Sequence, residues 1–496
     1  MKPSTGSRIA GGTVWVALGL LAARGMGYIV QLILARLLLP QAFGLIGMAT
    51  VFTSLIGTIG DLGLAAALIQ LKQERISGVH YDTAFWLSLL FNSVVFLIFA
   101  TAIGPLAAAF YAQPLLNSVV PILGLTECIR SLGIVPRIRL TRGLQFRTLT
   151  LVETAASVAG GISAVALAIS GAGVWSIVAQ GLIAAVIQLP VLWQVTGWRP
   201  RMTFSRRALS DVFGFSVFDV LQRTVNYLTN NVDYLLVGKL LGAEPLGVYT
   251  LAFMMTDTFR QQIMAVSNRV MFPVYGRLQD DAVAIRGYYL KAIRYNSLLV
   301  TLAMLVLAGF ARPLISVVLG TRWESAAFPI QAIAIASTIH AIGGTSESVL
   351  RGIGRVRLNF RLSLAKTVAV TIPAFAIFIY YLGINGAAMA VVIHKSVSRL
   401  MYQYYMRKLI GVTERDIFRA IRPMLVGLLA AAPVLAALYA TVDLSRPASL
   451  GLGIVLVVCA YSAAVYSTQR RELHQMARRL LGGMVLPDQP GGEGVE

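Results

Sequence analysis

The sequence predicts an all-α, polytopic integral membrane protein. About fourteen transmembrane helices are expected, as two pseudo-symmetric six-helix lobes plus two C-terminal helices. Three observations predict this. The 496 residues are 57% hydrophobic and 13% charged, with mean hydropathy +0.74, where a soluble domain carries about 25% charged residues. Apolar segments of the roughly 20 residues needed to cross a bilayer recur along the whole chain. A motif near the start also returns near the middle. Arg36-Leu37-Leu38-Leu39-Pro40-Gln41-Ala42-Phe43-Gly44-Leu45 is matched by Lys239-Leu240-Leu241-Gly242-Ala243-Glu244-Pro245-Leu246-Gly247-Val248.

Taken in order, the expected spans are 13–35, 43–69, 84–109, 115–135, 150–170, 173–196, 212–238, 246–272, 290–309, 326–350, 360–382, 385–406, 420–441 and 450–468. The first begins near Thr13, is long enough to span, and has no small-residue cleavage site behind a short core, so it reads as a helix and not as a cleaved signal. Several spans are moderately polar, as expected of helices facing one another or a water-filled cavity. The loop bases then orient the set. Arg36, Lys239, Arg312, Arg322 and Arg446 fall in one series of alternate loops, and every other loop base falls in the opposite series. Bases collect on the cytoplasmic side, so both termini are expected in the cytoplasm. The formal charge of +21 has the same origin and does not call for a nucleic-acid partner. Cys128 and Cys459 sit in apolar segments, and the histidines show no metal-ligand spacing, so neither a disulfide framework nor a metal site is expected.

The repeat continues past the opening motif. Gly104-Pro105-Leu106 is echoed by Arg312-Pro313-Leu314, and Ile129-Arg130-Ser131-Leu132-Gly133 by Ile339-His340-Ala341-Ile342-Gly343. Arg142-Gly143, with Phe146 behind, is echoed by Arg351-Gly352, with Phe360 behind, and Gly171 and Gly173 by Gly383 and Gly386. Each half therefore holds six spans. Six is even, so both halves enter the membrane the same way round and are related by an axis along its normal, the geometry of alternating access. The expected division is an N-terminal lobe over 1–205, a C-terminal lobe over 206–410, two further helices over 411–470 and a cytoplasmic tail over 471–496. Arg36 and Lys239 fall in short outer loops, where the motif reads as a tight helical hairpin with a base at the interface.

Charge inside the spans is costly and needs a partner, a cavity or a helix end. The intramembrane bases are Arg24, Arg130, Arg223, Arg260, Arg269, Lys366, Lys395 and Arg399. Arg269, Lys366 and Arg399 lie near helix ends and can snorkel. Arg130 has Glu127 one turn before it and reads as a local pair. Arg24, Arg223 and Arg260 lie near mid-span. Arg24 has no acid within a turn and is surrounded by small residues, whereas Arg223 has Asp219 and Arg260 has Asp257 within a turn. Arg24 and Arg223 fall within a turn of one another on repeat-related helices, so the three arginines are the expected anion-binding set. Asp61, in Gly60-Asp61-Leu62-Gly63, is a candidate for coupling or gating, with Asp257 and Lys395 alongside it. The remaining acids, Glu127, Glu153, Asp219, Asp233 and Glu347, read as partners of neighbouring bases or as helix-end groups.

Enzyme signatures are missing from the sequence. There is no GxxxxGK[ST] phosphate loop, so the chain is not its own ATPase, and no GxSxG, HExxH or CxxC pattern. A glycan polymerase or ligase needs a constellation on the outer face, and the outer loops are short. A cation or drug antiporter predicts a cavity of unpaired acids, while the unpaired mid-span residue here is a base. A scaffold gives no reason for charge at mid-bilayer. A transporter remains, with a cation or drug antiporter on the same fold as the alternative to an anion carrier.

The strings Leu34-Ala35-Arg36-Leu37-Leu38-Leu39-Pro40-Gln41-Ala42-Phe43-Gly44 and Asp61-Leu62-Gly63-Leu64-Ala65-Ala66-Ala67-Leu68-Ile69-Gln70 resemble polysaccharide flippases of the Wzx type in the MOP exporter superfamily. Phe85-Trp86 and Gly171-Ala172-Gly173-Val174-Trp175 fit the same group, nearest its exopolysaccharide and colanic-acid branch. The resemblance covers spans one to twelve. It implies a two-lobed flippase of the bacterial inner membrane for polyprenyl-pyrophosphate-linked oligosaccharide units, without a cofactor. Its implied partners are the lipid bilayer and polysaccharide polymerase or export machinery. In related lipid II flippases the cavity arginines come from the first, second and eighth helices. Arg24 and Arg260 match two of these; span two has no central base, and Arg223 is placed to supply the missing charge.

Overall fold

The computed structural model describes residues 25–60, 68–69, 76–207 and 231–482, with 209, 227 and 229 as isolated positions. Every regular element among them is helical. In chain order these are α1 (Gly25–Leu37), α2 (Pro40–Gly60), α3 (Gly78–Ile98, continued to Tyr111 through a π turn), α4 (Leu116–Ser131) and α5 (Ile134–Arg142). They are followed by α6 (Phe146–Ile169), α7 (Val174–Thr196), α8 (Val232–Leu241), α9 (Ala243–Phe253), α10 (Phe259–Arg277) and α11 (Ala282–Gly309). The chain closes with α12 (Ala327–Gly343), α13 (Thr345–Gly352), α14 (Val356–Lys366), α15 (Ile372–Ile410), α16 (Glu414–Thr441) and α17 (Pro447–Gly482).

Eight helical stretches among the described residues are long and apolar enough to cross a membrane, and α4 with α5, bent by 42°, makes a ninth. The protein is a multi-pass membrane protein. Some helices outrun their hydropathy: α3 begins at Gly78, before its apolar run, because Ser77 and His80 form a reciprocal cap at its N-terminus. The expected break between 382 and 385 is a kink in α15 at Gly383, with φ 56° and ψ −132°. Gly173, which opens α7, has φ 58° and ψ −127°. Side chains avoid this region of backbone space, so glycine is required at both. The shared conformation pairs Gly173 with Gly383, which corrects the sequence echo that set Gly171 against Gly383 and Gly173 against Gly386.

Packing divides the chain into two compact units. The first holds residues up to Met255 with Val318–Ile333 and Arg357–Val397; the second holds Thr256–Val317, Ala334–Val356 and Ser398–Glu496.

Within the first unit, the two copies of the repeated motif pack directly against each other. A Cβ built on Gly44 of α2 would lie 1.6 Å from the carbonyl oxygen of Ala243, and one on Gly247 of α9 would lie 1.8 Å from the carbonyl oxygen of Pro40. Pro40 and Ala243 are themselves repeat-related, so the contact is a local pseudo-two-fold. The motif's bases extend the symmetry. Arg36 donates to the carbonyl of Val318 at 2.8 Å. Lys239 donates to the carbonyl of Phe110 and lies over its ring, 4.9 Å from the centroid. Phe110 and Val318 follow the matched Gly104-Pro105 and Arg312-Pro313 by the same interval, so each base reaches a carbonyl of the other repeat. Trp323, fully buried, donates through its indole to the carbonyl of Ala35 at 2.6 Å. That carbonyl belongs to the last turn of α1, where no intrahelical donor is available. Phe43 meets the Trp323 ring edge-on, with centroids 5.4 Å apart.

The second unit is built on α11. Leu298 and Phe310 of that helix region share a core with Met424, Ala431 and Leu438 of α16 and Val457 and Tyr461 of α17. Tyr461 donates to the carbonyl of Leu298 at 3.1 Å, and Tyr439 to that of Gly309 at 2.7 Å. The two helices added after the repeat are thus anchored by apolar packing and by tyrosines that take up backbone carbonyls. A second, polar seam joins α10, α11 and α13: Ser348 donates to Asn268 at 2.8 Å, Asn296 to Thr345 at 3.3 Å, and Tyr289 pairs with Ser346 at 2.8 Å.

Candidate functional site

The best-defined buried charge lies where α9 runs into α10. Residues Met254–Thr258 form a π turn, a wider coil that recurs at functional sites in helices. It carries Asp257, and Arg260 follows on the first turn of α10. Arg260 Nε donates to Asp257 Oδ1 at 2.8 Å and its terminal nitrogen to Oδ2 at 3.0 Å, a bidentate fork. Gln261 adds a donor to the same carboxylate at 2.9 Å, and the second terminal nitrogen of Arg260 points at the sulfur of Met264 at 3.0 Å. Both charged groups are nearly inaccessible, at 5% and 4% side-chain exposure. The carboxylate fixes the plane of the guanidinium.

A second buried group sits in the first unit. Asp233, in the first turn of α8, accepts a hydrogen bond from Tyr249 of α9 at 2.8 Å. Lys395, on α15, belongs to the same unit and is half-buried. Among the other intramembrane bases, Arg130 pairs with Glu127 at 2.7 Å, Arg399 pairs with Glu414 at 2.6 Å, Arg269 is exposed and Lys366 is buried. Arg137, on α5, donates to Gln188 at 2.7 Å and lies 3.9 Å from Glu153. Arg24, Arg223 and Asp61 lie outside the described residues. Of the candidate site residues, the structure unites Arg260 with Asp257.

Sequence reasoning passed over the Asp233–Tyr249 pair and the polar seam of α13. A signal for the first was present in the repeat: the equivalent positions in the first half are Val30 and Ile46, so the pair is a polar departure from a duplicated apolar framework.

Comparison with known proteins gives a consistent picture. The lipopolysaccharide biosynthesis protein WzxC of Escherichia coli K12 is 24% identical over 403 residues, 80% of each chain. The succinoglycan biosynthesis transport protein ExoT of Rhizobium meliloti is 26% identical over 360 residues, 72% of each chain. In fold, the lipid II flippase MurJ in an inward closed conformation superimposes with a TM-score of 0.70 at 13% identity, covering 92% of this chain and all of that one. The family described as "Polysaccharide biosynthesis protein" matches residues 33–328. That stretch takes in both copies of the repeated motif, the clasp they form and the buried Asp257–Arg260 pair, and on it the chain belongs to the polysaccharide biosynthesis protein family.

Proposed function

We propose that the protein is a lipid-linked oligosaccharide flippase. It moves polyprenyl-pyrophosphate-linked repeat units from the cytoplasmic to the outer face of a bacterial inner membrane, for exopolysaccharide or lipopolysaccharide assembly. The observation that carries this reading is sequence similarity, over most of the chain, to proteins named for polysaccharide biosynthesis and transport. A duplicated helical body with bases at mid-span supports it. The base-rich loops face the cytoplasm, as do both termini. The two repeats, over 1–205 and 206–410, act as the moving lobes.

Arg24, Arg223 and Arg260 take the pyrophosphate, whose paired phosphates suit the planar fork of arginine. Asp257 holds Arg260 in one plane. Asp61, Asp257 and Lys395 are assigned to coupling or gating, because ionisable groups inside a membrane mark ion and substrate pathways. The prenyl tail stays in lipid while the headgroup crosses, and no bond is made or broken. The delivered unit passes to polymerase or export machinery. The site assignment is tested in proteoliposomes with a lipid-linked oligosaccharide. Arg24→Ala is expected to slow flipping by about tenfold or more, the size of a lost charge-assisted hydrogen bond. Flipping at the rate of the unaltered protein removes Arg24 from the site.

A further inference from the structure

A cleft lies at a base-rich end of the first unit. It encloses about 930 Å³, between the start of α3, the end of α5 and the segment that follows α7. Four arginines line it, Arg139 and Arg142 from α5 and Arg199 and Arg201 from the segment after α7. Arg142 is committed to the chain, donating to the carbonyls of Leu68 and Ile69. Arg139, Arg199 and Arg201 are exposed, and no acid among the described residues pairs with them.

The cleft is built, not incidental. Asp82, the carboxylate in its wall, is 3% exposed. It accepts the backbone N–H of Arg201 at 3.2 Å and the hydroxyl of Thr203 at 2.7 Å. Ser205 donates its N–H to Thr83 at 3.1 Å, and the indole of Trp86 donates to the carbonyl of Arg201 at 2.8 Å. These four bonds strap the 197–205 segment to α3 and hold Arg199 and Arg201 at the cleft. Asp82 is engaged by the strap, and among the described residues no carboxylate forms an ion pair with Arg139, Arg199 or Arg201.

The depth of the cleft identifies what it meets. One turn beyond Tyr81 and Asp82 on α3, Phe85 contacts Trp86, Trp193 and Trp198, the last of which also lines the cleft, with centroids 5.3, 6.3 and 5.4 Å away. Tryptophans concentrate at the level of lipid headgroups, and α3 runs from this point into the membrane as an apolar helix of 34 residues. Clustered bases at that level attract phosphate-bearing lipid headgroups. We propose that the cleft is a binding site for the phosphate of an anionic membrane lipid, with room for a headgroup. Phosphatidylglycerol and a polyprenyl pyrophosphate present the same chemistry. The second source alone rests on the flippase reading.

The test titrates tail-labelled phosphatidylglycerol, polyprenyl pyrophosphate and phosphatidylcholine into the purified full-length protein in detergent. One variant combines Arg139→Gln, Arg199→Gln and Arg201→Gln. A control removes the same charge elsewhere, through Arg277→Gln, Arg355→Gln and Arg357→Gln. The cleft variant is expected to bind at least one of the two anionic lipids about tenfold more weakly. Phosphatidylcholine binding, and the control variant, should stay within about twofold of the unaltered protein. Which anionic lipid loses affinity identifies the source. Equal losses in the cleft and control variants, or no loss for either lipid, overturn the proposal. Thermal unfolding of all three proteins separates loss of the site from loss of the fold.

Discussion

Gly44→Ala is expected to destabilise the folded protein by about 3 kcal/mol or more, and Gly44→Leu to prevent its accumulation. The added Cβ would sit 1.6 Å from the oxygen and 2.5 Å from the carbon of the Ala243 carbonyl. An obstacle made of flexible side chain gives way by rotation. This one is helix backbone, so α2 and α9 must separate along their crossing. Overpacking in a core costs about 1–3 kcal/mol and more where nothing can yield, and the contact is among the closest in the chain. Gly247→Ala is expected to cost about as much, because its Cβ would meet the Pro40 carbonyl oxygen at 1.8 Å. The double variant should cost clearly less than the sum of the two, since the helices need to part only once. Thermal unfolding in detergent, followed by size-exclusion homogeneity, reads all three. A Gly44→Ala protein melting with the unaltered one would show that the two motif copies do not pack as described.

The second large effect concerns Arg260 and Asp257. Removing either partner of a buried ion pair leaves the other charged and unpaired, at about 3–5 kcal/mol. Arg260→Ala and Asp257→Ala are therefore both expected to lower the melting temperature steeply. Replacing both with apolar residues of similar size, Asp257→Leu with Arg260→Met, removes the orphan and should recover most of that stability. Flipping separates structure from function. If Arg260 touches the pyrophosphate, the refolded double variant stays inactive. A double variant that flips at the unaltered rate would reduce the pair to a packing element.

Much of this arrangement was legible before any coordinates. Apolar runs placed the helices because a bilayer leaves the backbone no option but to bond to itself, and Gly383 marked the kink within α15. Pairs one turn apart, such as Glu127 with Arg130 and Asp257 with Arg260, follow from helical spacing alone. The repeat was legible as a duplication, and Gly44 and Gly247 as parts of a tight hairpin. That the two copies touch each other was not legible, because the sequence of a helix crossing is simply two glycines far apart in the chain. The bonds from Arg36 to Val318 and from Lys239 to Phe110 end on carbonyls, which every residue has, so no side-chain type announces them. Trp323 likewise reads as one more apolar residue until α1 is seen to end beside it. Among the mid-span bases, Arg260 alone is both legible and described in the structure.

The proposed cargo is a negatively charged lipid-linked saccharide. The most direct test reconstitutes the unaltered protein into vesicles with a polyprenyl-pyrophosphate-linked oligosaccharide, without nucleotide, and measures exposure of the saccharide on the opposite leaflet with an impermeant lectin or glycosidase. A parallel set of vesicles carries a lipophilic organic cation. The flippase reading requires protein-dependent exposure of the saccharide and no movement of the cation. Cation export with the saccharide left in its original leaflet would contradict it.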